Sequence, residues 1–186
     1  VDYDIPDRIR DGYGINESII EKAAEQGIDT ILTCDNGISA YSQIELAKKK
    51  GMTVVITDHH EVPLEEGKEI IPPADAVIDP KREECSYPFP EICGAVVAWK
   101  LVQVLFAECG VPAKEWEELL EFAAIATVGD VMRLQDANRI MGTYGLSTMD
   151  HTSRHGLRKL AANNTLALSQ IQEYHNGIVI TTYLKD

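Results

Sequence analysis

Positive charge is what this 186-residue chain most lacks: 17 Lys and Arg stand against 30 Asp and Glu, a formal net charge of −13. That balance excludes a broad basic surface for polyanions. It leaves room for a local one, because carboxylates that hold a cation raise the acidic count while the cation meets the phosphate. No run reaches the roughly 20 consecutive apolar residues of a membrane helix, which excludes a spanning segment. No basic-then-apolar leader is present, so the expected compartment is the cytoplasm, with no membrane partner. Cysteine is scarce. Cys34, Cys85, Cys93 and Cys109 form no C-x-x-C pair, so reduced, mostly buried thiols are expected rather than a zinc site or a disulfide framework. What the chain does have is 45% apolar residues, enough for a packed core.

Two short apolar runs lead straight into acid: Thr30-Ile31-Leu32-Thr33-Cys34-Asp35-Asn36-Gly37 and Thr53-Val54-Val55-Ile56-Thr57-Asp58-His59-His60. At the carboxyl ends of adjacent parallel strands, side chains enter the crevice where open α/β sheets bind ligands. Asp35 and His59 are therefore candidate metal ligands. Carboxylate with neutral imidazole suits Mn²⁺ or a similar ion better than thiolate-seeking metals. A third acid, Asp130, follows the mostly apolar run Ala126-Thr127-Val128-Gly129. Clustered acids repel one another unless a cation neutralises them, so metal binding is the economical reason to gather them.

The order of elements points to an α/β fold, a parallel sheet flanked by helices, followed by a mainly helical segment. The pattern predicts a strand at 1–6, a helix at 17–26 capped by Asn16 and closed by Gly27, and a strand at 29–34. A helix at 39–50 follows, then strands at 53–57 and 75–80. After Gly94 the period becomes helical, with long helices over 95–109 and 113–127. The first of these is apolar nearly all round and so is expected to be buried. Weaker helices at 139–150, 153–162 and 166–175 precede a β-prone stretch at 177–184. The expected division is one catalytic domain over 1–147 and a connector over 148–186.

These residues resemble the DHH phosphoesterase superfamily, and within it the RecJ-type single-strand-specific exonucleases. The resemblance runs through Ile5-Pro6-Asp7-Arg8, Gly12-Tyr13-Gly14, Thr33-Cys34-Asp35-Asn36-Gly37 and Thr57-Asp58-His59-His60-Glu61. It continues through Ala74 to Lys81, Cys93-Gly94-Ala95-Val96-Val97, Thr127-Val128-Gly129-Asp130 and Asn138-Arg139. The resemblance implies metal ligation by Asp35, His59 and Asp130, and catalytic roles for Asp58 and His60. It also implies substrate contacts from Arg8, Asn138 and Arg139. The chemistry implied is Mn²⁺-dependent hydrolysis of phosphodiesters in single-stranded nucleic acid during DNA repair and recombination, with Mg²⁺ as a substitute. The family's first motif, an Asp-x-Asp on an earlier strand, is not matched here. Asp2 and Asp4 have its spacing but sit before Pro6, and read as surface residues. The chain is therefore expected to be a piece that by itself binds metal weakly and is inactive.

Blander readings compete at each position. Asp35 also fits a turn cap, and histidines singly are more often structural. His151 and His155, four apart, fit a metal pair on one helix face, yet no third ligand accompanies them. Lys48-Lys49-Lys50 reads as a solvated helix end favoured by the dipole, and Trp99 and Trp116 as core. Two rival functions remain open: a DHH phosphoesterase of short oligonucleotides, cyclic dinucleotides or pyrophosphate, and a scaffold that binds without cleaving. Oligomeric state is not legible.

Overall fold

A computed structural model of the chain describes residues 1–6, 14–149 and 152–163. The chain divides into two compact units, Val1–Pro90 and Glu91–Asp186. The units meet where the hydrophobic period changes. Each half buries its own apolar surface, and that is what makes the units separate.

In the first unit, α1 (Glu17–Glu25) leads to β1 (Thr30–Leu32), α2 (Tyr41–Lys49) and β2 (Thr53–Thr57). The short pair β3 (Leu64–Glu65) and β4 (Lys68–Glu69) precedes β5 (Ala76–Ile78). Strands β1, β2 and β5 form a parallel sheet in that order, with Ile31 opposite Val54 and Thr57 opposite Ile78. Helix α1 begins where expected because the Asn16 side chain accepts from the Ile19 N–H at 3.0 Å, satisfying one of the orphan donors of the first turn. Gly27 at φ +72° ends it. The apolar stripes of α1 and α2 close over the sheet as one core: Ile15, Ile20, Ala23, Ile44, Ala47, Met52, Val54 and Ile56. Burial of such side chains is worth roughly 1.5–3 kcal/mol each.

Two details differ from expectation. Residues 1–6 carry no strand, and among the described residues no partner ladder runs beside them. The loop over 61–73 contains the antiparallel pair β3–β4, turned by Glu66 and Gly67, both at positive φ.

The second unit is helical: α3 (Gly94–Glu108), α4 (Ala113–Glu117), α5 (Leu120–Gly129), α6 (Asp136–Met149) and α7 (His155–Asn163). The single helix expected over 113–127 is broken between Glu117 and Leu120. Helix α3 is less buried than its composition suggests. Val96 and Val97 are buried, but Val104 and Leu105 are exposed, because only its first half packs into the unit's core. Trp99 and Trp116 meet edge to face with centroids 5.4 Å apart, and the Trp99 indole N–H donates to the Trp116 carbonyl at 2.8 Å. All four cysteines stand outside any disulfide, but only Cys93 is buried. The others lie at a strand end, in a loop and at a helix end, where little covers them. His151 and the stretches 166–175 and 177–184 lie outside the described residues. Among the described residues no helix is long and apolar enough to cross a membrane.

Candidate metal centre

Strand pairing continues past β1 and β2 and so aligns their acidic ends. The Thr33 N–H donates to the Val55 carbonyl at 2.9 Å and the Asp35 N–H to the Thr57 carbonyl at 3.0 Å. Asp35 thus sits beside the start of Asp58-His59-His60. On the other side, the Asp58 N–H donates to the Ile78 carbonyl at 3.0 Å. Three parallel strands therefore deliver Asp35, Asp58 and Asp79 to one edge of the sheet.

The backbone at Asp35 is unusual. Its φ is +63°, a left-handed conformation that Asp tolerates better than bulkier residues and that recurs at functional sites. Gly37 follows at φ +116°, where a Cβ would lie 2.9 Å from Thr33 Oγ1 and 3.1 Å from Ile56 Cγ2. Only glycine fits there, and the tight loop it allows brings Asp35 back over the strand end.

Asp35 Oδ1 lies 2.9 Å from His59 Nε2. One ligand atom each from Asp35, His59 and His60 fall within 4.8 Å of one another. The Asp35 side chain is half exposed and that of His59 only 12% exposed, so the carboxylate meets solvent while the imidazole is held by the fold. A carboxylate oxygen and imidazole nitrogens this close together are the donor set that a divalent first-row ion takes. The residues present therefore fit a cation.

Asp58 behaves differently. It is 1% exposed, and both its oxygens are taken by protein donors. Oδ2 accepts from the Ile38 N–H at 2.9 Å. Oδ1 accepts from the His59 and His60 N–H groups at 2.8 and 3.3 Å and lies 2.6 Å from His60 Nδ1. Asp58 thus fixes the backbone at both histidines and the ring of His60.

Asp79 is the member of this edge that the sequence reading passed over. It is 3% exposed. Oδ1 accepts from the Lys81 N–H at 2.9 Å, and Oδ2 has no hydrogen-bond partner among the described residues. Burial, and then the neighbouring Asp58, push its carboxyl above the usual carboxylate range. The signal was present: an acid directly after an apolar strand, the same feature that marked Asp35 and Asp58.

The remaining candidates belong to the second unit or fall outside the described residues. Asp130 caps the carboxyl end of α5, its N–H donating to the Ala126 carbonyl at 2.8 Å. Arg139 is exposed on α6. Asn138 does not fit a substrate contact. Its side chain is fully buried, and its amide donates to the carbonyls of Glu91 and Arg133 at 2.6 and 3.0 Å. Arg8 lies outside the described residues. His155 is exposed on α7. The lysine run is neutralised: Lys48 pairs with Asp75, Lys49 with Glu45 and Lys50 with Glu21, at 2.6, 2.7 and 2.7 Å. It is a solvated face, not a phosphate patch.

Comparison with known proteins gives this geometry a family. The model of the DHH family, N-terminal domain, matches residues 1–127. The single-stranded-DNA-specific exonuclease RecJ of Bacillus subtilis is 42% identical over 160 residues, 86% of this chain and 19% of the relative. The RecJ of Escherichia coli is 35% identical over 156 residues, 79% of this chain and 26% of the relative. A crystal structure of exonuclease RecJ bound to manganese superposes with a TM-score of 0.78 at 28% identity, covering 95% of this chain and 42% of that one. RecJ from Thermus thermophilus in complex with Mn²⁺ gives 0.70 at 27% identity, over 87% of this chain and 23% of that one. The chain thus spans between 19% and 42% of the length of these relatives. With the model covering more than half of its residues, the chain belongs to the DHH family.

Proposed function

We propose that this chain is the metal-holding part of a RecJ-type exonuclease that hydrolyses phosphodiesters in single-stranded DNA, in the service of repair and recombination. The observation that carries the reading is the 2.9 Å approach of Asp35 Oδ1 to His59 Nε2, with His60 in the same cluster. Relatives described as single-stranded-DNA-specific exonucleases, and neighbours described with manganese bound, support it. Mn²⁺ is the ion assigned, with Mg²⁺ as the substitute, because mixed oxygen and imidazole donors favour the more borderline of the two.

In this reading Asp35, His59 and Asp130 are the ligands. When bound, a divalent cation supplies Lewis acidity to water and to the phosphoryl oxygens. The chain's own groups do the rest. Asp58 fixes the backbone at both histidines and, by accepting from His60 Nδ1–H, holds that ring toward the site with its Nε2 lone pair outward as an acceptor. Arg139 and Arg8 supply positive charge to the strand's backbone, where phosphate contacts fix register without reading sequence. Asn138 is left out of the substrate set. The cytoplasm, where chromosomal single strands arise in bacteria, is the compartment assigned.

Digestion assays on the full-length protein test this. With Mn²⁺ present, long single-stranded DNA should be degraded while duplex DNA, dinucleotides and pyrophosphate are spared. Preferential hydrolysis of dinucleotides or pyrophosphate would transfer the chain to the small-substrate phosphoesterases. Manganese binding without hydrolysis would make it a scaffold.

A further inference from the structure

We infer that Asn138 is a positioning residue for the acid-bearing turn after α5, and that it sets the metal affinity of Asp130. The inference rests on the reading of Asp130 as a ligand.

The turn that carries Asp130 is strained. Val131, directly after it, has φ +56° and is 86% exposed. A β-branched residue in the left-handed region is a genuine outlier that persists only where its surroundings hold it. One side of that hold is the end of α5 itself. The N–H groups of Asp130, Val131 and Met132 donate to the carbonyls of Ala126, Val128 and Thr127 at 2.8, 3.0 and 3.0 Å. Beyond Met132 these backbone bonds to α5 stop, and Asn138 takes over by fixing the Arg133 carbonyl.

Its second bond, to the Glu91 carbonyl, anchors the turn to the segment that leads into α3. Cys93, two residues further on, lies against Thr127 in the last turn of α5, Sγ to Oγ1 3.7 Å. The run 91–93 therefore braces both ends of the turn, through Asn138 on one side and Cys93 on the other. Both amide hydrogens of Asn138 are used and both acceptors are carbonyls, so the side chain cannot be flipped without setting oxygen against oxygen. Oδ1 is buried without a hydrogen-bond partner among the described residues. Asparagine is kept here for its two donors. Aspartate has none at neutral pH, and alanine would remove the Glu91 tie and leave the Arg133 carbonyl only the Gln135 N–H at 2.9 Å.

The test uses the full-length protein. Mn²⁺ affinity is measured by calorimetry for the wild type, Asn138→Ala, Asn138→Gln and Asp130→Asn, with the Tm of each in chelator. Groups that orient a metal ligand typically contribute 10- to 100-fold to affinity. Asn138→Ala is accordingly expected to weaken Mn²⁺ binding about tenfold. Activity should recover at saturating Mn²⁺, so that the loss lies in the metal requirement and not in kcat. Should Asn138→Ala not fold, Asn138→Gln, which keeps both donors but shifts them by one methylene, is expected to show the same weakening to a lesser degree. A lowered Tm with unchanged Mn²⁺ affinity would make Asn138 merely structural and overturn the inference. If Asp130→Asn weakens binding and neither Asn138 variant does, the inference alone fails. If Asp130→Asn has no effect, the ligand reading of Asp130 and the inference fall together.

Discussion

The Asp58 carboxylate reaches from the end of β2 to the backbone N–H of Ile38, 2.9 Å away, and so ties together the two strand ends that carry Asp35 and His59. One buried side chain thereby determines whether an exposed carboxylate and a recessed imidazole stand close enough to share a cation. Removing its acceptor capacity is the most economical way to dismantle the site without touching a ligand. Asp58→Asn turns one acceptor oxygen into a donor facing an N–H group. Hydrogen bonds to a charged group contribute about 1.5–3 kcal/mol each, so a loss of about 2–3 kcal/mol is expected. Urea unfolding of the metal-free protein measures it.

Gly37 makes the neighbouring loop possible. Gly37→Ala would place a methyl 2.9 Å from Thr33 Oγ1 and 3.1 Å from Ile56, at a φ of +116°. Overpacking of this kind typically costs about 1–3 kcal/mol. The expected result is a lower Tm together with weaker Mn²⁺ binding, because the displaced backbone includes both Asp35 and the Ile38 N–H. Thermal melts with and without Mn²⁺ separate the two effects.

Asp79 gives the metal-free protein a pH dependence of known sign. Burial raises its carboxyl pKa in the folded state above the ordinary value of 3.8. Between the unfolded and folded values the native state binds more protons than the unfolded one, so stability falls as pH rises through that window. The contribution is complete below the unfolded pKa and is lost above the folded one. Asp79→Asn is expected to flatten that part of the profile, which chemical denaturation from acid pH upward in chelator would record. An unchanged slope would remove Asp79 as its source.

In the second unit, α5 and α6 approach each other at Gly145. A Cβ there would stand 2.5 Å from Ala124 Cβ and 2.6 Å from the Leu120 carbonyl oxygen. Backbone has to move to admit it. Gly145→Ala is expected to destabilise by about 3 kcal/mol or more, measured by denaturant unfolding, despite alanine's better helix propensity.

Much of this was legible in the residues themselves. Apolar runs ending in acid located β1 and β2 and the cluster of Asp35 with His59, because side-chain direction at a parallel strand end follows from the pleat. Asn16 and Gly27 marked the limits of α1 by capping chemistry. Other features depend on tertiary partners that periodicity does not report. The exposed half of α3, the break between α4 and α5, and the burial of Asn138 all come from which surfaces meet. Asp79 was readable by the same rule as Asp35, since it follows a strand of the same length. Asp58 reads in the sequence only as an acid after an apolar strand, and its engagement by the Ile38, His59 and His60 donors comes from the tertiary fold.

Whether Asp35 and His59 hold a divalent cation is tested most directly by calorimetric titration of Mn²⁺ into the metal-free full-length protein, beside Asp35→Asn and His59→Ala. Each variant should remain folded and bind Mn²⁺ at least about tenfold more weakly than the wild type, a loss of about 1.4 kcal/mol. Wild-type affinity in either folded variant would contradict the shared site.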